Sequence, residues 1–290
     1  MKPKAPTLRQ FQDRFPTEDA CLDHLFKVRF GTDFNCPGCD RSAKFSRVAK
    51  RRAYQCQWCA HQVYPTAGTP FDKTRTPLRD WFFVMFQFCA SRNGVAAKEV
   101  ERQLGVTYKT AWRMCHMIRE YMGKVDGNEP VGGFMKRVEV DETFFGGYRA
   151  GGMGGKGKTV VVGMLERGGD VITQVVPDRR SGTLMPVIKA NVRQHSEVHT
   201  DELRSYGGLG TMGYWHKTVN HNREEYVSKT GTTVNAIEGF WANVKRGING
   251  THIHVSPQHL PKYLGEFEYR WNMRDQPHLM LDRLMVSFSR

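Results

Sequence analysis

The chain has 290 residues, enough for two or three compact units, and its 39% hydrophobic and 25% charged content excludes wholesale disorder. Lys and Arg total 43 against 29 acids, a net charge of +14 with a pI near 9.6, which points to polyanions and to nucleic acid first. No apolar run approaches the roughly 20 residues of a spanning helix, the opening MKPKAPTLRQFQDRF lacks a signal-peptide core, and seven cysteines, an odd count, argue against a secreted disulfide framework, so a cytoplasmic, nucleoid-associated protein is expected.

Composition divides the sequence into residues 1–68, a helix and a cysteine-bearing segment; 69–123, a helical region; 124–136, a Gly/Pro/acid linker; and 137–290, a mixed α/β domain. In the first part Cys36-Pro-Gly-Cys39 is followed after sixteen residues by Cys56-Gln-Trp-Cys59. Each pair sets two thiolates on one tight turn, and two such turns complete a tetrahedral zinc site that closes a β-hairpin, a zinc ribbon. Lys44, Arg47, Lys50, Arg51 and Arg52 lie between the pairs and favour contact with DNA, although a solvated charge run is the alternative. Cys21, Cys89 and Cys115 sit in apolar, helix-like stretches and read as buried structural thiols.

Residues 77–122 begin with an apolar helix carrying Trp81, Phe82, Phe86 and Phe88, expected in the core. A short helix follows with Val95, Val100 and Leu104 inward; Gly105-Val106-Thr107 turns the chain, and Thr107 can cap a second helix. Lys109, Thr110 and Arg113 at its start are placed as in a DNA-reading helix-turn-helix, with an ordinary αα-hairpin as the alternative.

From residue 137 the period changes. RVEVDETFFG alternates and reads as a strand ending near Asp141, KTVVVGMLERGGDVITQVVPD is a hairpin, and SGTLMPVIKANVRQ is a helix with a Ser cap. SEVHTDE is a short strand delivering Asp201, TVNHNREEYVS another, and 232–248 a helix capped by Thr232 or Thr233. Acids thus fall on the first strand (Asp141), past the fourth (Asp201) and on the helix after the fifth (Glu238), an RNase H-like arrangement. Such acids are the hard oxygen ligands of a pair of Mg2+ or Mn2+ ions in phosphodiester chemistry, Asp141 shared by both ions, and a DNA 3′-hydroxyl serves as nucleophile. Asn235, Glu238, Trp241 or Ala242, and Lys245 share one helix face, with Lys245 placed for a phosphate and Asn235 as a further ligand or hydrogen-bond partner. Glu142 points to the opposite strand face, and His199 and His221 read as structural. The class is α+β multidomain: zinc ribbon, helix-turn-helix, and an RNase H-like mixed sheet flanked by helices.

Over nearly its whole length the chain resembles the zinc-ribbon insertion-sequence transposases of the ISXO type. The shared stretches are TEDACLDHLFKVRFG ahead of CPGC, YPTAGTPFDKTRTPLRDWF, LGVTYKTAWRM, VEVDETFFGG, HTDELRSYGGL and VNAIEGFWANVKRGINGTHIHVSPQHLPKYLGEFEYRWNMR. The resemblance implies a DDE-type catalytic domain with Asp141, Asp201, Glu238 and a downstream Lys245, the third position staying open between Glu238 and Asn235. It also implies binding of terminal inverted repeats and target DNA, strand cleavage and transfer, and assembly into an oligomer. The rival from another class is a non-catalytic DNA-binding regulator.

Overall fold

The computed structural model describes residues 3–31, 34–127, 129–146, 157–219 and 233–289. They form two compact units: Met1–Ser91, Ala97–Tyr121 and Asp275–Arg290 make the first, Arg92–Ala96 and Met122–Arg274 the second. His221, Thr232, most of the Gly-rich stretch after Gly146 and nearly all of the expected strand TVNHNREEYVS lie outside the described residues.

The first unit opens with helix α1 (Leu8–Arg14), whose Thr7 and Gln10 form a reciprocal capping box, and α2 (Glu18–Phe30), capped by Thr17 through the Ala20 N–H. A three-stranded antiparallel sheet follows: β1 (Phe45–Arg47), β2 (Tyr54–Cys56) and β3 (Gln62–Val63). Helix α3 (Leu78–Ala90) is apolar on nearly every face and accordingly buries Trp81, Phe82, Phe86 and Phe88. Then come α4 (Ala97–Leu104) and α5 (Tyr108–Asp126), separated by a turn in which Gly105 takes φ +65° and Thr107 Oγ1 accepts the Thr110 N–H at 3.3 Å. Cys21, Cys89 and Cys115 are buried, as are Val95 and Val100, whereas Leu104 is half-buried.

The structure divides the chain differently from composition. Residues 1–68 and most of 69–123 share one unit, and the last helix joins it: Phe288 packs among Phe71, Trp81 and Tyr121, and Arg14 pairs with Asp282 at 2.6 Å. The 124–136 segment is also more than a linker, since α5 runs to Asp126 and Val131–Gly132 form a strand.

In the second unit that strand, β4 (Val131–Gly132), pairs in parallel with β8 (Val192–Arg193). The main sheet contains β5 (Arg137–Phe145), β6 (Thr159–Glu166), β7 (Val171–Val176), β9 (Glu197–Thr200) and β10 (Trp215–Thr218), in spatial order β10-β9-β5-β6-β7. β5, β6 and β7 are antiparallel neighbours; β9 and β10 run parallel to β5. Helix α6 (Ser181–Asn191) packs on one face with Val138, Val140, Val160, Val162 and Met164. Helices α7 (Asn235–Gly247) and α8 (Leu260–Asn272) pack on the other with Phe145, Val161 and Leu165. Burial on both faces explains why β6 reads TVVVGMLE, a continuous rather than an alternating apolar run.

Three local expectations change. β5 does not end near Asp141 but continues to Phe145, which places Asp141 in mid-strand. Ser181 is the first residue of α6 rather than its cap; Arg180 holds the cap position, and Asp178 accepts from the Arg180 N–H and the Thr183 hydroxyl. The cap position of α7 is Val234, with Thr233 Oγ1 accepting the Asn235 N–H at 3.0 Å.

Candidate functional site

In the first unit the Sγ atoms of Cys36, Cys39, Cys56 and Cys59 all lie within 4.8 Å of one another. The Cys36–Cys59 and Cys39–Cys56 separations are 3.5 and 4.0 Å, close to the about 3.8 Å edge of a sulfur tetrahedron with 2.3 Å Zn–S bonds. Knuckle amides of Gly38 and Trp58 donate to Cys36 and Cys56 at 3.4 Å, orienting the sulfurs inward. The donor set and its size fit a structural zinc ion, which these four thiolates would hold. Of the five basic residues in the hairpin, Arg47 pairs with Asp19 and Arg52 with Glu18, at 2.7 and 2.8 Å, tying the ribbon to α2. Lys44, Lys50 and Arg51 remain exposed.

Lys109 and Arg113 are exposed near the start of α5, beside exposed Tyr108 and Trp112; Trp112 stacks on His116 with ring centroids 3.7 Å apart. The Thr110 hydroxyl lies 3.0 Å from that of Thr107, so it belongs to the helix cap as well as to the surface.

In the second unit Asp141 is on the sheet face covered by α7. Its directly opposite residue on β6 is Gly163, and a Cβ there would stand 2.5 Å from the Trp241 ring and 2.9 Å from Ile237. The glycine is therefore what lets α7 approach the strand bearing Asp141. The β5–β9 register ends at Glu139 opposite His199, two residues before Asp141 on β5 and two before Asp201, which follows β9. The Asp201 carboxylate also accepts the Leu203 N–H at 3.0 Å, which orients it just past the strand end.

Burial pushes the Asp141 carboxyl up to about 7, and the negative charges of Glu142, Asp201 and Glu238 add to the rise, partly offset by a backbone hydrogen bond. Glu238 is exposed on the first turn of α7, with Asn235, Ala242 and Lys245 exposed along the same helix; Trp241 is buried, so Ala242 occupies that face. Glu142 projects to the opposite side, where the Tyr206 hydroxyl donates to it at 2.6 Å and Arg179 pairs with it at 3.1 Å. His199 is buried between Glu197 (2.7 Å) and the Thr233 carbonyl (3.2 Å), a structural role.

Glu139 is a residue that sequence reasoning passed over. It is fully buried, pairs with Arg167 at 2.8 Å, and accepts the N–H groups of Ala236 and Ile237 at 2.8 and 3.0 Å. A carboxylate from β5 thus caps α7 across the sheet and ties the strand of Asp141 to the helix of Glu238. The sequence marked it only as an acid two residues before Asp141 and on the same strand face; the alternation sets Val138 and Val140 inward and gives no sign that Glu139 is buried.

The ISXO2-like transposase domain model matches residues 131–272, the second unit almost entire, and the transposase zinc-ribbon domain model matches residues 16–62. An "uncharacterized transposase-like protein" of Haemophilus influenzae is 35% identical over 105 residues, 35% of this chain and 80% of that protein. An "uncharacterized protein in transposable element ISH50" of Halobacterium salinarum is 24% identical over 285 residues, 91% of this chain and 94% of that one. With a zinc-type sulfur cluster inside the zinc-ribbon match and the acid-bearing sheet inside the transposase-domain match, the chain belongs to the ISXO2-like transposase family.

Proposed function

We propose that the protein binds the ends of an insertion sequence and performs divalent-metal-dependent cleavage and strand transfer of DNA, with Asp141, Asp201 and Glu238 as the metal-holding carboxylates. The observation that supports this reading is the place of Asp141: a mid-strand carboxyl on the sheet face covered by α7, whose proton affinity is raised first by burial, next by Glu142, and then by acids 60 and 97 residues downstream. A buried carboxyl under the influence of like charges is costly unless a cation offsets them, and carboxylates are the hard oxygen donors that Mg2+ or Mn2+ accepts. When bound, divalent cations supply Lewis-acid stabilisation of the attacking and leaving oxygens.

The remaining roles fall to the chain's own residues. Asp141 must release its proton to serve as a ligand. Glu142, held by Tyr206 and Arg179 on the other face, adds negative charge without reaching the site. Glu139 and Arg167 fix the start of α7, and Lys245, two turns beyond Glu238, offers a cation to a phosphate. The sheet order, with three antiparallel strands followed by two parallel ones, supports an RNase H-like assignment. The α4–turn–α5 segment, with Lys109 and Arg113 exposed, is read as a helix-turn-helix that meets DNA, and Lys44, Lys50 and Arg51 as a further phosphate contact. Joining two element ends calls for more than one copy of the chain.

The test is incubation of the full, zinc-loaded protein with end DNA of its own element, target DNA and Mg2+, with strand-specific mapping of nicks and joined products. Asp141→Asn and Asp201→Asn should bind DNA and neither cut nor join it. Normal products from both variants would leave only a DNA-binding regulator.

A further inference from the structure

Beyond the acids, the same two elements lead to a cleft of about 480 Å3, a volume within the range of small-molecule sites. Phe144 and Phe145 at the end of β5 line it, as do Lys158, Lys245 and the segment after α7. Lys245 lies seven residues beyond Glu238, about 10 Å along the helix axis. Phe145 lies four residues beyond Asp141, about 13 Å along the strand. The cleft is therefore about three to four base steps from the acids, at roughly 3.4 Å per step.

On its rim stands Ile253. After a π-helical turn (Ile248–His252) its backbone takes φ +63° and ψ −54°, and the His254 N–H donates across it to the His252 carbonyl at 2.6 Å. This is a γ-turn of the strained hand, rare for any L-residue and least suited to a β-branched one. The side chain gains no burial in return, being 83% exposed. Among the described residues outside the left-handed glycines, no other β-branched residue has a positive φ. A strained, exposed, branched apolar side chain does nothing for the folded chain alone; strain of this kind is retained at ligand clamps.

We propose that Ile253 is an apolar wedge that enters the base stack of bound DNA near the cut phosphodiester, and that the adjoining cleft receives the displaced nucleobase. Phe145, Ile248, Val255 and Leu260 offer the apolar wall, while Lys158 and Lys245, both exposed, are placed for the flanking phosphates. The inference rests on the reading of Asp141, Asp201 and Glu238 as a DNA-cutting site.

The experiment places 2-aminopurine, one position at a time, in end DNA within five base steps of the mapped nick on either side. Full-length protein is added without divalent metal, so that bound DNA stays intact. One position should brighten several-fold with the wild type, as unstacking relieves quenching, and stay dark with Ile253→Gly. Glycine adopts this backbone without strain, so that variant should melt no lower than the wild type and bind the DNA within about threefold. Its cleavage in Mg2+ should fall about tenfold and recover when the brightening nucleotide is replaced by an abasic site, which has no base to displace. No brightening at any position with the wild type, brightening retained in Ile253→Gly, or a cleavage defect that the abasic site does not relieve would each overturn the wedge. Asp141→Asn should brighten the DNA and not cut it; if it cuts normally, the active-site reading fails while the fluorescence result stands.

Discussion

Replacing Asp141 by Asn should make the metal-free protein more stable while removing its chemistry. The folded carboxyl is pushed up from 3.8 to about 7, first by burial and then by Glu142, Asp201 and Glu238. Because the folded state favours the protonated form, the penalty is fully present above the folded value, shrinks as pH falls from 7 towards 3.8, and vanishes below that. A shift of about three units at 1.36 kcal/mol each corresponds to at most about 4 kcal/mol at pH 8. At pH 5 the folded group is neutral and only ionisation in the unfolded chain remains, about 1.5 kcal/mol. Asparagine is neutral throughout, so Asp141→Asn should gain stability by these amounts, most at pH 8. Native-state hydrogen exchange of the β5 and β6 amides, followed by mass spectrometry in buffer without Mg2+, reads the difference locally and leaves the zinc ribbon intact. Added Mg2+ should then stabilise the wild type and not the variant. An Asp141→Asn protein no more stable than the wild type at pH 8, or a gain that does not shrink towards pH 5, would refute a charge-strained Asp141.

Gly163→Ala should drive a methyl into Trp241 and cost about 1–3 kcal/mol as overpacking, with cleavage reduced because α7 is displaced from β5; Trp241→Phe on top of it should restore part of both, measured by urea unfolding and nick formation. Glu139→Ala leaves Arg167 and two α7 N–H groups without their acceptor and should cost about 3–5 kcal/mol, whereas Glu139→Gln should keep one N–H acceptor and cost less; calorimetry of the two orders them. Mass spectrometry under native conditions should find one zinc ion per chain, and Cys36→Ser or Cys59→Ser should lose it and expose residues 34–64 to protease. On α7, Glu238→Gln should abolish cutting and Asn235→Ala should only slow it; the reverse ranking in a single-turnover cleavage assay would assign the third ligand to Asn235.

The family and the sulfur cluster were legible in the sequence because both rest on short-range pattern. Two CxxC knuckles carry their geometry within four residues each, and the Cys36–Cys59 cluster needs only one hairpin to close. The same holds for burial of Trp81, Phe82 and Phe88, which an unbroken apolar helix dictates. Acids at 141, 201 and 238 could be marked by position, yet the burial of Asp141, and with it the rise in its proton affinity, comes only from the packing of α7 over β5 and β6. Residues that arrange this meeting carry no local signature: Gly163 matters because Trp241 lies opposite it, and Glu139 because α7 begins beside it. Composition likewise set a boundary after residue 68 and assigned the last helix to the second domain, whereas Phe288 belongs to the first unit's aromatic core. Propensity and spacing act along the chain; closeness of approach, charge crowding and shared burial act between segments far apart in it, and the fold alone decides them.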